Sequence, residues 1–329
     1  MRAPEFWRHD GLMAAILSPL SAIWRHRTAS RMRRTQPENV GVPVICIGNA
    51  VAGGAGNTPV AMSVADRLLM HGAKPHFLSR GYGGTTTETT LVDPSRHSAS
   101  DVGDEPLLLA RHAPTWVAQN RVAGARAAVS AGAEILVLDD GFQNPSLQKD
   151  ISILVVDGGY GFGNRRVMPS GPLREYLDDA ITRADAVAII GADRQNIEQS
   201  LPNEKPVMAA RFVPGIQDDG LSGQAVLAFA GIGRPEKFFE TLSGMGCDLV
   251  ATRAFADHHP YTSDEVMKLL EDAAAAGAIA VTTEKDAVRL PSEARDIVRT
   301  LSVTLEWRDE AALDRLLIPA LSPALTTRA

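Results

Sequence analysis

The stretch Gly48-Asn-Ala-Val-Ala-Gly-Gly-Ala-Gly-Asn-Thr-Pro59 carries the most legible chemistry in this sequence. An apolar run enters a glycine-rich loop, and Thr58 with Pro59 then opens what reads as a helix. Glycines let backbone amides turn toward one point, and the helix start adds partial positive charge. Residues Val51, Ala52, Gly53, Gly54, Ala55, Gly56, Asn57 and Thr58 therefore form a natural cradle for a phosphate. The Thr58 hydroxyl is the group such a loop offers to nucleotide-bound magnesium. Against the strict phosphate-loop pattern two positions depart: Val51 stands where the first glycine belongs, and Asn57 where the lysine belongs.

A second motif lies downstream. Ile135-Leu-Val-Leu138 runs into Asp139-Asp140-Gly141-Phe142-Gln143. A strand ending in a carboxylate is how a Walker B aspartate emerges beside a phosphate loop to hold magnesium. One such aspartate is usually a turn residue, but two downstream of a phosphate-type loop favour the metal. Asp104 and Glu105, after Gly103, form another acidic pair. A kinase acting on a hydroxyl needs a carboxylate or histidine to take its proton, and Asp257-His258-His259-Pro260 supplies the histidines. Neighbouring side chains of extended backbone point opposite ways, so one of His258 and His259 faces a site. Cationic candidates for phosphate are Arg80, Arg121, Arg165, Arg166 and Arg174, all in loops following apolar runs.

These residues need a scaffold that brings them together. Strand-length apolar runs occur at Val42–Ile47, Pro75–Leu78, Ile135–Leu138, Ile151–Val156 and Ala186–Ile190, with helical stretches Pro59–His71, Val122–Ala131 and Leu173–Thr182 between them. Continuous apolar strands alternating with helices describe a parallel α/β sheet covered on both faces, with ligands at the carboxyl ends of its strands. Polar residues and two prolines at Leu201–Pro206 suggest a boundary. Beyond it Ala225–Ala230, Leu249–Arg253, Ala278–Val281 and Leu301–Glu306 predict a second, smaller α/β domain, with a capping box at Thr262–Glu265. The expected organisation is a segment 1–34, a P-loop-type domain 35–205 and the smaller domain 206–329.

At 329 residues and 45% hydrophobic, the chain has material for such cores. Cys46 and Cys247 lack metal-ligand spacing and read as buried free thiols. The net charge of −6 is uneven: residues 1–34 hold seven arginines against Glu5 and Asp10, so the remainder is strongly acidic. That segment also contains an apolar run, Gly11–Trp24, with Trp7 nearby. It is too short to span a bilayer and Pro19 would kink it, so it reads as an interfacial helix that meets an anionic membrane surface. An acidic body with 5% aromatics disfavours nucleic-acid binding. The absence of a Gly-x-Gly-x-x-Gly element after the first strand disfavours a dinucleotide enzyme.

Taken in order, the motifs resemble one family, the tetraacyldisaccharide 4'-kinases. The resemblance covers Pro4–Trp7, Ile47–Asn49, Gly53–Pro59, Ser79–Gly84, Gly103–Pro106, Asp139–Gln143, Pro169–Glu175, Phe229–Pro235, Phe255–Tyr261 and Thr282–Asp286. It implies transfer of the ATP γ-phosphate to the 4'-hydroxyl of a lipid A disaccharide 1-phosphate at the cytoplasmic face of the inner membrane, with Mg2+ and no obligate protein partner. It further implies that Asp104 is the catalytic base, paired with His258. Glu105, Asp139, Asp140 and Thr58 would surround the metal. Arg80, Arg121, Gln143, Arg174, Glu175 and His259 would face substrate or phosphates. Asn57 departs from the family's lysine. Either another cation, Arg80 or Lys285, stands in for it, or the chain is a silent homologue that binds nucleotide or precursor without phosphorylating it.

Overall fold

The computed structural model describes residues 4–215 and 220–326, with side chains described to Leu321. A nine-stranded sheet forms the larger part. Its strands are β1 (Val44–Gly48), β2 (Pro75–Ser79), β3 (Thr90–Leu91), β4 (Thr115–Val117), β5 (Ile135–Asp139), β6 (Ile151–Asp157), β7 (Ala186–Ile190), β8 (Val207–Pro214) and β13 (Val303–Trp307). Their order is β13-β8-β7-β6-β1-β5-β2-β4-β3, parallel except for the antiparallel edge strands β13 and β3. A smaller parallel sheet has the order β10-β9-β11-β12, from β9 (Ala225–Ala230), β10 (Asp248–Ala254), β11 (Ile279–Thr283) and β12 (Arg299–Leu301).

Both faces of the large sheet are covered, which is why its central strands are apolar throughout. Ile45, Ile47, Ile135, Val137, Ile153 and Val155 point to one side. There they meet Val60, Ala61, Val64 and Leu68 of α2 (Asn57–Met70) and Leu313 and Leu317 of α10 (Glu310–Thr326). Cys46, Leu136, Leu138, Leu154 and Val156 point to the other side, against Ala125 and Ala128 of α5 (Arg121–Ser130) and Ala180 and Ile181 of α6 (Leu177–Arg183). The period-two alternation of strand side chains sorts the two sets. Each fully buried aliphatic side chain contributes roughly 1.5–3 kcal/mol. In the smaller unit α7 (Pro235–Gly244) and α8 (Ser263–Ala275) cover opposite faces, and Thr262 and Glu265 make the expected capping box. Of three short helices, α3 (Ala99–Val102) and α4 (Asp104–Leu109) lie between β3 and β4, and α9 (Glu284–Ala287) directly follows β11. Cys46 and Cys247 are buried and free.

Three expectations meet a different arrangement. The segment after Leu201–Pro206 does not leave the first sheet, because β8 pairs with β7 before the chain crosses. The single apolar run expected at Leu301–Glu306 divides at Ser302. Arg299–Leu301 pairs with β11, and Val303–Trp307 returns to pair with β8. Residues 173–176 form no helix; that helix begins at Leu177, leaving Arg174 on a loop.

Helix α1 (Leu12–Arg34) runs unbroken through Pro19 and lies against the Pro169–Tyr176 loop. Ser21 Oγ donates to Val167 O at 2.7 Å, and Trp24 Nε1 to Arg174 O at 3.2 Å. Arg31 donates to Gln143 O at 2.9 Å. Exposed apolar side chains also run along the helix: Leu12, Met13, Ile16, Leu20 and Ile23, with Trp24 at the margin where it reaches the loop. At 100° per residue these six fall within an arc of about 120°. No described helix is long and apolar enough to cross a membrane.

Candidate active site

Strand β1 lies at the centre of the large sheet, between β5 and β6, and its carboxyl end opens into the glycine loop before α2. The loop's turns need positive φ at Gly53 (108°) and Gly56 (98°), which glycine adopts without strain. Asn49 Nδ2 ties the loop across itself by donating to Gly53 O at 2.9 Å. A second segment is laced onto it. Ala52 N donates to Pro172 O at 2.7 Å and Arg174 N to Ala50 O at 2.8 Å, with Val51 and Leu173 bridged between them. Val51 is buried in this seam with Leu173, so the valine in place of a glycine packs rather than obstructs.

The pairing of β1 with β5 sets Ile47 opposite Asp139, which delivers the carboxylate to the start of α2. Thr58 Oγ1 donates to Asp139 Oδ2 at 3.0 Å, while Asp139 Oδ1 is buried with no partner. Burial pushes the Asp139 carboxyl up to about 7, and the charges of Asp140 and Glu105 push the same way. Asp140, at φ 51°, turns outward; its Oδ1 accepts from Asn57 Nδ2 at 3.3 Å and from Arg174 Nη1 at 2.8 Å. Gln143 and Glu175 are framework to these groups. Gln143 Nε2 donates to Asn49 O at 2.8 Å and to Glu175 Oε1 at 2.9 Å, and buried Glu175 pairs with Arg183.

The second acidic pair begins α4, after Gly103 at φ 91°. Its partners come from the smaller sheet. His258 Nδ1 lies 3.0 Å from Asp104 Oδ2, and its ring meets Tyr82 edge-on. Lys285, on α9, places Nζ 2.6 Å from Glu105 Oε1, 3.9 Å from Asp104 Oδ2 and 3.4 Å from His258 Nε2. Arg289 Nε is 3.5 Å from Asp104 Oδ2, while its Nη2 donates to Asp286 Oδ1 and Gly231 O. Burial alone would raise Asp104, but the hydrogen bonds with the His258 and Glu105 side chains and the charge of Lys285 outweigh it and hold the carboxyl well below its usual range. The same hydrogen bond raises His258. Burial and the neighbouring Asp104 push Glu105 up to about 7, against the pull of Lys285. Lys285 is raised: burial opposes its charge, but Glu105 and Asp104 prevail.

The structure thus brings Thr58, Asn57, Asp139, Asp140 and Arg174 together on one side, and Asp104, Glu105 and His258 on the other. His259 is not brought to them. It stacks on Phe255 at 4.7 Å and meets Glu265 at 3.1 Å, inside the smaller unit. The left-handed backbone of His258, at φ 58°, accounts for the two rings parting. Arg121 is buried, donates to Ala118 O, and has been lowered to about 10 by burial and by Arg80 nearby. Arg80 itself is exposed. Sequence reasoning missed Arg289 altogether; it lies in the turn that follows α9, where nothing in its spacing marks it. It also missed Arg234 and Lys237, which both pair with Asp157 at the end of β6.

A phosphate loop between sheet and helix, an acidic strand end behind it and a carboxylate–imidazole pair opposite define an ATP-dependent phosphotransferase of the P-loop type. Residues 13–322 match the family described as tetraacyldisaccharide-1-P 4'-kinase. Over 328 residues the chain is 52% identical to the tetraacyldisaccharide 4'-kinase of Rhodospirillum centenum, covering 98% of this chain and 97% of that one. It is 51% identical over 308 residues to the enzyme of the same name from Paramagnetospirillum magneticum, covering 93% and 95%. LpxK from Aquifex aeolicus, solved in complex with ATP, superposes with a TM-score of 0.76 at 27% identity, covering 94% of this chain and 99% of that one. The chain belongs to the tetraacyldisaccharide-1-P 4'-kinase family.

Proposed function

We infer that this chain transfers the γ-phosphate of ATP to the 4'-hydroxyl of a tetraacyldisaccharide 1-phosphate, with Asp104 and His258 as the pair that receives the hydroxyl proton. The observation that carries the residue assignment is the 3.0 Å contact between Asp104 Oδ2 and His258 Nδ1, which joins the two sheets across the cleft. In the reaction the 4'-oxygen forms a bond to the γ-phosphorus as the bond from that phosphorus to the β-bridging oxygen breaks, and ADP departs. The hydroxyl proton passes to the Asp104–His258 pair as the oxygen is bonded. Asp104 Oδ1 accepts from the Glu105 amide at 3.1 Å, and the carboxyl also shares a hydrogen bond with the Glu105 side chain, so the two acids adjoin where the hydroxyl proton is received. Lys285 and Arg289 hold the carboxylate against His258 and set its charge.

The loop residues Ala52–Thr58 present backbone amides to the nucleotide phosphates, and Arg174 faces the same end. Arg121 and Arg80 add positive charge beside it. The donor set suits magnesium: a hydroxyl at Thr58, the unpartnered buried oxygen of Asp139, and carboxylates at Asp140 and Glu105. Bound there, Mg2+ neutralises phosphate charge during transfer. His259, turned into the aromatic cluster, supports the His258 backbone rather than the substrate.

Helix α1 gives the reading its setting. Its exposed apolar stripe and arginines suit an interfacial position on the anionic cytoplasmic face of the inner membrane, where acyl chains stay in the bilayer while the head group reaches the cleft. Ile16 and Ile23 are 61% and 58% exposed, so glutamates there disturb no packing. Ile16→Glu with Ile23→Glu is expected to abolish co-sedimentation with vesicles containing anionic lipid and to leave the melting temperature unchanged. Retained co-sedimentation would rule out the stripe as the membrane contact. Whole-segment deletion is a poorer test, since it also removes the Trp24 brace on Arg174.

Purified protein with Mg-ATP and the disaccharide 1-phosphate in detergent should yield a new phosphate at the 4' position by phosphorus NMR. ATP binding with no product would favour the silent homologue. A further expectation concerns protons. Glu105 and Asp139 stand near 7 without metal, and magnesium requires the carboxylates. Metal binding at pH 7 should therefore release a fractional proton, and apparent Mg2+ affinity should fall between pH 8 and pH 6. Calorimetry in buffers of different ionisation enthalpy reads this directly. A heat independent of the buffer would remove both groups from the metal site.

A further inference from the structure

We propose that Arg174 supplies the positive charge that the phosphate-loop lysine would bring, so that Asn57 and Arg174 together replace one residue. The proposal rests on the kinase reading and concerns how this chain performs it without a lysine at position 57.

Asn57 occupies the first residue of α2, where the phosphate-loop pattern places the lysine. Its amide nitrogen donates to Asp140 Oδ1 at 3.3 Å, and its amide oxygen is buried without a donor. The same Asp140 oxygen accepts from Arg174 Nη1 at 2.8 Å, and that nitrogen also reaches Asp140 Oδ2 at 3.0 Å and Gln143 Oε1 at 3.3 Å. One carboxylate oxygen therefore separates the uncharged side chain from a guanidinium.

Placement of the charge is rigid. Residues 172–174 hydrogen-bond to residues 50–52 on both sides of the bridge, so the arginine is fastened to the loop it serves. Trp24 Nε1 holds the Arg174 carbonyl from behind, and the Gln143–Glu175–Arg183 chain holds its surroundings. The other cations are less suited. Lys285 lies on the smaller unit, beside the proton-accepting pair and 2.6 Å from Glu105 rather than laced to the glycine loop. Arg80 lies close to Arg121 and is exposed. A guanidinium also offers a second nitrogen for a phosphoryl oxygen while the first stays on Asp140.

The test uses the natural chain, Asn57→Lys, Arg174→Ala and the double variant. Calorimetry gives the affinity of each for Mg-ADP and for Mg-ADP with aluminium fluoride, a mimic of the phosphoryl group in flight. Single-turnover transfer to the disaccharide is measured alongside. In the natural chain Arg174→Ala should weaken the fluoride complex by roughly 10-fold or more and Mg-ADP by less than about 3-fold. In the Asn57→Lys background the same substitution should cost less than about 3-fold on both. Arg174→Gln, which keeps a donor and loses the charge, should behave as Arg174→Ala and provides the reading if alanine lowers the melting temperature. Equal costs in the two backgrounds would overturn the proposal, as would a background-dependent cost at Arg80→Ala in place of Arg174. If the natural chain binds nucleotide but forms no product, the kinase reading fails. If it forms product and the costs add, only the role of Arg174 fails.

Discussion

Asp104→Ala is expected to slow single-turnover phosphate transfer by about 10²-fold or more, the scale of general-base loss, while ATP affinity stays within a few-fold. The carboxylate touches no residue of the phosphate loop. Apart from its neighbour Glu105, its contacts are His258 at 3.0 Å, Arg289 at 3.5 Å and Lys285 at 3.9 Å, all from the smaller unit. Because proton removal acts only as the new bond forms, the loss should appear in the chemical step. His258→Ala should cost a comparable factor, and the double variant little more than either, since the two act as a unit. Additive losses would show that the residues work separately, and transfer near the natural rate in Asp104→Ala would end the base assignment. Arg289→Ala separates holding from chemistry. It should lower the rate without changing nucleotide affinity and shift its pH dependence, because it removes a charge beside the carboxylate.

The central features were legible because they are local. Apolar runs Ala186–Ile190 and Ala225–Ala230 fall where β7 and β9 lie, since strands buried on both faces leave little choice of residue. Asp139 and Thr58 were legible together because a strand end and a loop–helix junction each announce their own geometry. What sequence concealed was set by pairing at long range. Nothing in Leu301–Glu306 marks Ser302 as the point where the chain changes sheets; that follows from β8 offering an unpaired edge. Adjacent histidines look alike, and only the positive φ of His258 turns one to Asp104 and leaves the other on Phe255. Arg289 was silent because an arginine in a turn after a short helix has no signature until its partners Asp104, Asp286 and Gly231 converge.

Asp139→Asn should separate metal chemistry from stability, with opposite signs. Asparagine keeps the shape and can still meet Thr58, but it cannot offer magnesium a charge. Transfer should fall by roughly 10² at fixed Mg2+ and recover in part as Mg2+ is raised, if the carboxylate acts on the metal. No recovery at any Mg2+ concentration would assign Asp139 a structural part instead. Stability moves the other way. The carboxyl is buried, its Oδ1 has no partner, and its pKa is raised from 3.8 to about 7, so in the absence of metal the folded protein binds a proton that the unfolded chain releases. Stability from this group is therefore fully present below pH 3.8, declines as pH rises toward 7, and is lost above it. The three-unit shift sets a ceiling of about 4 kcal/mol on the cost of the ionised form at pH 8. Asparagine carries no such cost. Metal-free Asp139→Asn should melt higher than the natural chain at pH 8, with the gap narrowing toward pH 5, and saturating Mg2+ with nucleotide should reverse the order. A lower melting temperature at pH 8 without metal would mean that the buried carboxylate is satisfied in the fold and is not held ready for an ion.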